Sequence, residues 1–168
     1  TGPELAWVEA LKDPAFRAVR LQALFPLAVP GAASRSREAP GAASGLEAAV
    51  VRLCEQASAA VDAGCTILIL TDRGMDLGQA VIPVWMAAGA VHHFLIRQGK
   101  RMRASILCET AQVWDMHHYA LLIGYGTAAI HPYGAYQAVA WAHSTGALKG
   151  VTLDQAWANY EKAIEDGI

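Results

Sequence analysis

The chain has 168 residues, 54% of them hydrophobic and 17% charged, which excludes disorder and is enough to bury the core of one ordinary domain. A net charge of -2 and a pI near 6.3 leave no basic face for nucleic acid, and no Lys/Arg cluster is interleaved with aromatics. So apolar a composition implies faces built to be covered by other parts of a larger protein or by a second copy.

Leu5, Trp7, Val8 and Leu11 share one face at helical spacing, so residues 3–11 are predicted as a short helix stopped by Asp13-Pro14. Val19, Leu21, Ala23 and Phe25 alternate and predict one strand over 18–25, closed by Pro26. Residues 27–44 turn to Ala, Gly, Ser, Pro and Arg without periodicity. They are predicted as a flexible loop, most mobile over 32–43. The layout is therefore 1–26 as an N-terminal helix and first strand, 27–44 as a loop and 45–168 as a β/α core, all within one domain.

The core opens with a helix over 45–63, capped at Ser44, with Leu46, Val50, Leu53, Ala57 and Val61 at helical spacing and Gly64 as its stop. It delivers the chain into residues 66–70, an unbroken apolar, β-branched run of the kind found in a strand covered on both faces. Asp72, Arg73 and Gly74 then fall just past the carboxyl end of that strand, where α/β folds keep their chemistry. Residues 75–82 are predicted as a loop, and 83–98 as a helix apolar nearly all round, with Pro83 in its first turn. The basic run 100–103 is predicted as a solvated connection on the far edge from any ligand. A strand over 104–108 follows, then Glu109 at the productive edge, a helix over 113–123, and the glycine stop at Gly124 and Gly126. A strand over 128–131 ending in His131 and helices over 135–143 and 153–166, the latter capped by Thr152, complete the array. The fold class is α/β, an open, partial (β/α)-barrel-like parallel sheet flanked by helices.

Cys54, Cys65 and Cys108 lack C-x-x-C spacing, which points to a reducing cytoplasm. No apolar run approaches the ~20 residues of a membrane span. The pairs His92-His93 and His117-His118, with His131, invite a metal hypothesis. Adjacent helical residues diverge by roughly 100°, so each pair offers one ligand at most, and no H-E-x-x-H accompanies them. They are read as structural histidines and no metal is expected. No G-x-S-x-G elbow supports a serine nucleophile. One enzymatic or phosphate-binding reading of the residues stays open, a small free-standing β/α protein using Asp72, Arg73, Glu109 and His131 at the strand ends.

Residues 68–74 (Leu-Ile-Leu-Thr-Asp-Arg-Gly), 88–99 (Ala-Gly-Ala-Val-His-His-Phe-Leu-Ile-Arg-Gln-Gly), 116–126 (Met-His-His-Tyr-Ala-Leu-Leu-Ile-Gly-Tyr-Gly) and 131–135 (His-Pro-Tyr-Gly-Ala) occur in the order and near the spacing of a known family. On these four motifs the chain resembles the central domain of the glutamate synthase large subunit. It departs from that pattern at Thr71, where the family has serine, at Phe94, where it has a third histidine, and at His131, where it has asparagine. The loop 31–44 is also longer than the family's.

The resemblance implies a parent enzyme that makes glutamate from glutamine and 2-oxoglutarate, passing ammonia between two sites. It implies neighbours in the same chain, namely a glutamine amidotransferase domain and a synthase domain carrying FMN and an iron–sulfur cluster. The central segment would be a non-catalytic connector with no catalytic residue, cofactor or metal of its own, cytoplasmic, and the resemblance allows a homo-oligomeric parent. A flavin phosphate wants free N–H groups at a strand end. Here Glu109 is expected to place a carboxylate where that phosphate would sit, so the segment alone is expected to bind no FMN.

Overall fold

A computed structural model describes residues 5, 8, 13, 15–27 and 45–168. Apart from Leu5 and Val8, the helix expected over 3–11 lies outside the described residues, as do the loop over 28–44 and the Ser44 cap. The elements in order are β1 (Ala18–Gln22), β2 (Leu24–Pro26), α1 (Gly45–Asp62), β3 (Ile67–Thr71), β4 (Gln79–Val81), α2 (Val84–Arg97), a 3-10 turn (Arg101–Arg103), β5 (Ser105–Glu109), α3 (Met116–Gly124), β6 (Ala129–His131), α4 (Tyr133–Ser144) and α5 (Leu153–Glu165).

Four parallel strands form the main sheet in the order β1-β3-β5-β6. Strands are added in one direction only, so right-handed crossovers put α1, α2 and α3 on the same face. Packing agrees with this. Leu68, Leu70, Ile106 and Cys108 share one core with Leu53, Ala57 and Val61 of α1, Val91 and Leu95 of α2 and Leu122 of α3. The other face presents Ile69 and Leu107, packed with Val8 and Leu5. This is the winding of a barrel, with helices outside and one concave face, stopped at four strands and left open.

Three expectations need correction. The strand predicted over 18–25 is two strands in two sheets. Ala23 is the pivot: its N–H donates to the Thr71 carbonyl (2.8 Å) and its carbonyl accepts from Ile82 N (2.8 Å). Beyond it β2 turns to pair antiparallel with β4, inside the segment 75–82 expected to be loop. The hydroxyl-free turn before β4 is an Asx turn, in which Gly78 N donates to Asp76 Oδ1 (2.8 Å). Next, α3 begins at Met116 and not at residue 113, because the Asp115 carboxylate accepts from His118 N and caps it there.

The basic run is, as expected, a helix-to-strand connection with Met102 and Arg103 exposed, and it also clamps the amino edge of the sheet. Arg101 donates to the Ala104 and Gly126 carbonyls (2.6 and 2.7 Å) and, through Nε, to His92 Nδ1 (2.9 Å). Arg103 donates to the Val61 carbonyl, and Lys100 to Ser58 and Asp62. Each of these side chains reaches at least one backbone carbonyl or carboxylate, which is what long cationic side chains do well at helix ends and turns.

At the carboxyl end of the chain α5 follows expectation. Thr152 and Gln155 form a full capping box. Ala156 and Ile164 face inward. Trp157 Nε1 donates to the Tyr136 carbonyl, and Tyr136 donates to Glu161, tying α5 to α4.

Candidate functional site

The parallel register aligns Gln22, Thr71, Glu109 and His131 in one row across the carboxyl edge. Side chains alternate along a strand, so Thr71, Glu109 and His131 project from the same face as Ile69 and Leu107, the concave face of the sheet. Arg20, two residues before Gln22 on β1, projects from that face as well. The four residues singled out from sequence, Asp72, Arg73, Glu109 and His131, do meet here.

Glu109 is the last residue of β5 and not the first of the following loop, so its carboxylate lies on the sheet. It is 2% exposed. Arg20 Nη1 pairs with Oε2, and Thr71 Oγ1 donates to the same oxygen (2.8 Å). Arg73 Nε donates to Oε1 (2.8 Å). His131 Nδ1 stands 3.7 Å from Oε1, beyond hydrogen-bond length.

Asp72 is a second hub, 4% exposed. It accepts from Thr110 Oγ1 (2.6 Å), Tyr133 OH (2.7 Å), Gln112 Nε2 (3.1 Å) and Ala111 N (3.2 Å). The guanidinium of Arg73 lies 4.0 Å from the centroid of the Tyr133 ring and links the two hubs. The amides of the strand-end loops are engaged too: Arg73 N donates to Thr71 Oγ1 and Gln112 N to Thr110 Oγ1. α4 comes close enough to supply Tyr133 because Gly134 packs against the Ala111 backbone. A Cβ at Gly134 would stand 2.7 Å from Ala111 Cα.

Burial alone would raise the Glu109 carboxyl. The neighbouring His131, the donors Thr71 and Arg73 and the charge of Arg20 outweigh it and bring it from 4.5 down to about 2. A depressed carboxyl stabilises the fold above its unfolded pKa, and that contribution disappears as pH falls from about 4.5 towards 2. The shift corresponds to roughly 3 kcal/mol at neutral pH. Urea unfolding of the wild type and of Glu109→Gln should therefore differ by about that amount at pH 7 and converge near pH 2. A difference that stays constant across this window would contradict the pairing. The Tyr133 phenol is pushed up by burial, by its hydrogen bond to Asp72 and by the Asp72 charge, so it donates and does not ionise.

The histidine pairs do not converge. His92 accepts from Arg101 on the amino edge, His118 Nδ1 accepts from Trp114 N (3.2 Å), and His131 faces Glu109. Among the described residues no three His, Cys, Asp or Glu side chains are grouped to hold a metal ion. Cys54 and Cys108 are buried, Cys65 is half-buried and all three are free. No described helix is long and apolar enough to cross a membrane. Sequence reasoning missed Arg20 and Tyr133. The available signal for Arg20 was a charge at the inward-alternating position of a strand, and for Tyr133 its place between a proline and the glycine that allows close approach.

An open α/β sheet wound in barrel fashion, with carboxyl strand ends laced together by two buried carboxylates, defines the class. The family model for the glutamate synthase central domain matches residues 1–168, and the chain belongs to that family. It is similar to the ferredoxin-dependent glutamate synthase of Pyropia yezoensis, at 45% identity over 130 residues, covering 71% of this chain and 8% of that protein. It also resembles ferredoxin-dependent glutamate synthase 2 of Synechocystis sp., at 42% over 136 residues (73% and 9%). The NADPH glutamate synthase large chain of Azospirillum brasilense matches at 39% over 128 residues (76% and 8%). The chain thus spans less than a tenth of the length of these curated relatives.

Proposed function

We propose that this chain is the non-catalytic connecting domain of a glutamate synthase, holding a glutamine amidotransferase domain and an FMN and iron–sulfur synthase domain in register. The parent would make glutamate from glutamine and 2-oxoglutarate, with ammonia passing between the two sites, and this segment would supply rigidity in place of chemistry. The observation that carries the reading is the state of the strand-end amides. Ala111 N donates to Asp72, Gln112 N to Thr110 and Arg73 N to Thr71, so the groups that would cradle a phosphate are engaged by the protein itself.

The reason for expecting no flavin changes accordingly. Glu109 does not repel a phosphate as a bare charge, because Arg20 and Arg73 neutralise it. The obstacle is that the loop amides of Arg73, Ala111 and Gln112 are already hydrogen-bonded within the protein. Asp72 accepts four distinct donors, an arrangement that fixes a carboxylate and leaves no lone pair directed at a substrate. This weighs against the alternative of a free-standing enzyme or phosphate binder using Asp72, Arg73, Glu109 and His131. The three free cysteines suit a cytoplasmic setting. Titration of the purified domain with FMN is expected to leave flavin fluorescence unchanged, and saturable quenching at low micromolar FMN would overturn the reading.

A further inference from the structure

The outer surface of α1 and α2 carries an apolar groove of about 690 Å³. Along α2 its residues Met86, Ala90, His93 and Arg97 follow at helical spacing, a stripe of ~16 Å or about three turns. Val51 of α1 and Tyr125 after α3 form the walls. Met86, Val51 and Tyr125 are 46%, 49% and 43% exposed. Tyr125 also lines a second apolar depression, with Leu121, on α3. The apolar surface therefore runs unbroken across three helices, more than single exposed side chains on a monomer would give.

We infer that this groove seats one amphipathic helix of about three turns from another domain of the same polypeptide, apolar on the inner side and bearing a carboxylate at the Arg97 end. The inference rests on the connecting role proposed above. Three observations select this occupant. First, the groove lies between helices and offers no sheet edge, so an inserted strand would bury unpaired backbone groups, whereas a helix satisfies its own. Second, the cationic end is unbalanced. Arg97 lies 5.9 Å from the centroid of the Phe94 ring, no acidic residue lines the groove, and among the described residues no carboxylate forms an ion pair with Arg97. Third, a second copy would bring another Arg97 to the interface but no acid from its own groove, while more than nine-tenths of the relatives' length lies outside this segment.

The test is photocrosslinking in the full-length polypeptide with Met86→p-benzoylphenylalanine, and with Leu77 and Trp141 replaced in the same way as controls outside the groove. The expected product is an intramolecular crosslink from position 86 to a peptide outside this domain with apolar residues at i, i+3 and i+4 and an Asp or Glu near one end. Arg97→Glu should cut its yield about tenfold. Labelling from position 86 confined to peptides of residues 1–168, or a crosslinked species of doubled mass, overturns the inference. Interdomain labelling at the controls with none at position 86 overturns the groove and leaves the connecting role standing. Absence of interdomain labelling at all three positions overturns both.

Discussion

Glu109→Ala is expected to destabilise the domain by about 3 kcal/mol, visible as a fall of about 10 °C in Tm. Two routes lead to this figure. Removing one member of a buried ion pair costs roughly 3 to 5 kcal/mol because its partner is left uncompensated. Here the partners are Arg20 and Arg73, whose side chains keep 29% and 37% exposure, so both recover part of their solvation and the lower end applies. The carboxyl held at about 2 gives the same magnitude by linkage. The effect is structural because Glu109 joins β5 to β1 through Arg20 and to β3 through Thr71 and Arg73. Glu109→Gln, which loses the same charge, should cost a similar amount at pH 7. Denaturant titrations at pH 7 on both variants check this, and a loss below about 1 kcal/mol for the alanine variant would contradict it.

Gly126→Ala should cost a similar amount at the opposite edge of the sheet. Gly126 has φ +88° and ends α3 with both bonds of a Schellman motif, its N–H donating to the Ile123 carbonyl and Thr127 N to that of Leu122. A side chain there enters the left-handed region at about 1 kcal/mol. The added methyl would also overlap the His92 ring. That ring cannot simply swing away, because Arg101 donates to it while holding the Ala104 and Gly126 carbonyls. Overpacking of this kind adds roughly 1 to 3 kcal/mol, for a total of about 3 kcal/mol. Pairing the change with His92→Ala should recover the steric part and leave the backbone part. Urea midpoints of the two single variants and the double variant resolve the terms, and strict additivity would show that the ring and the methyl do not meet.

Much of this architecture is written locally. The unbroken run 68–70 marks a strand covered on both faces, and the Thr152 and Gln155 pair marks the start of α5. The turn from apolar to polar after Thr71 locates the carboxyl edge. What could not be read from the sequence depends on partners far along the chain. β2 and β4 are three residues each, too short for a pattern, and exist because Leu24 meets Val81. Arg20 lies 89 residues from the carboxylate it pairs with, and no local spacing announces such a contact. Glu109 was assigned to the site but placed one position too late relative to its strand. That shift decides whether its carboxylate faces a ligand or the sheet. The basic run 100–103 gave its charge but not its targets, which are carbonyls exposed by helix ends elsewhere in the fold.

Kinetics of the full-length enzyme carrying Asp72→Asn or Glu109→Gln most directly test the claim that this domain supports catalysis without performing it. Glutamine hydrolysis and glutamate formation from ammonia and 2-oxoglutarate would be measured separately, at a temperature where each variant is fully folded by circular dichroism. The account predicts kcat values for both partial reactions within about threefold of wild type. A general acid or base contributes about 100-fold or more. A loss of that size in either partial reaction, with the fold intact, would contradict the account and assign chemistry to the strand ends.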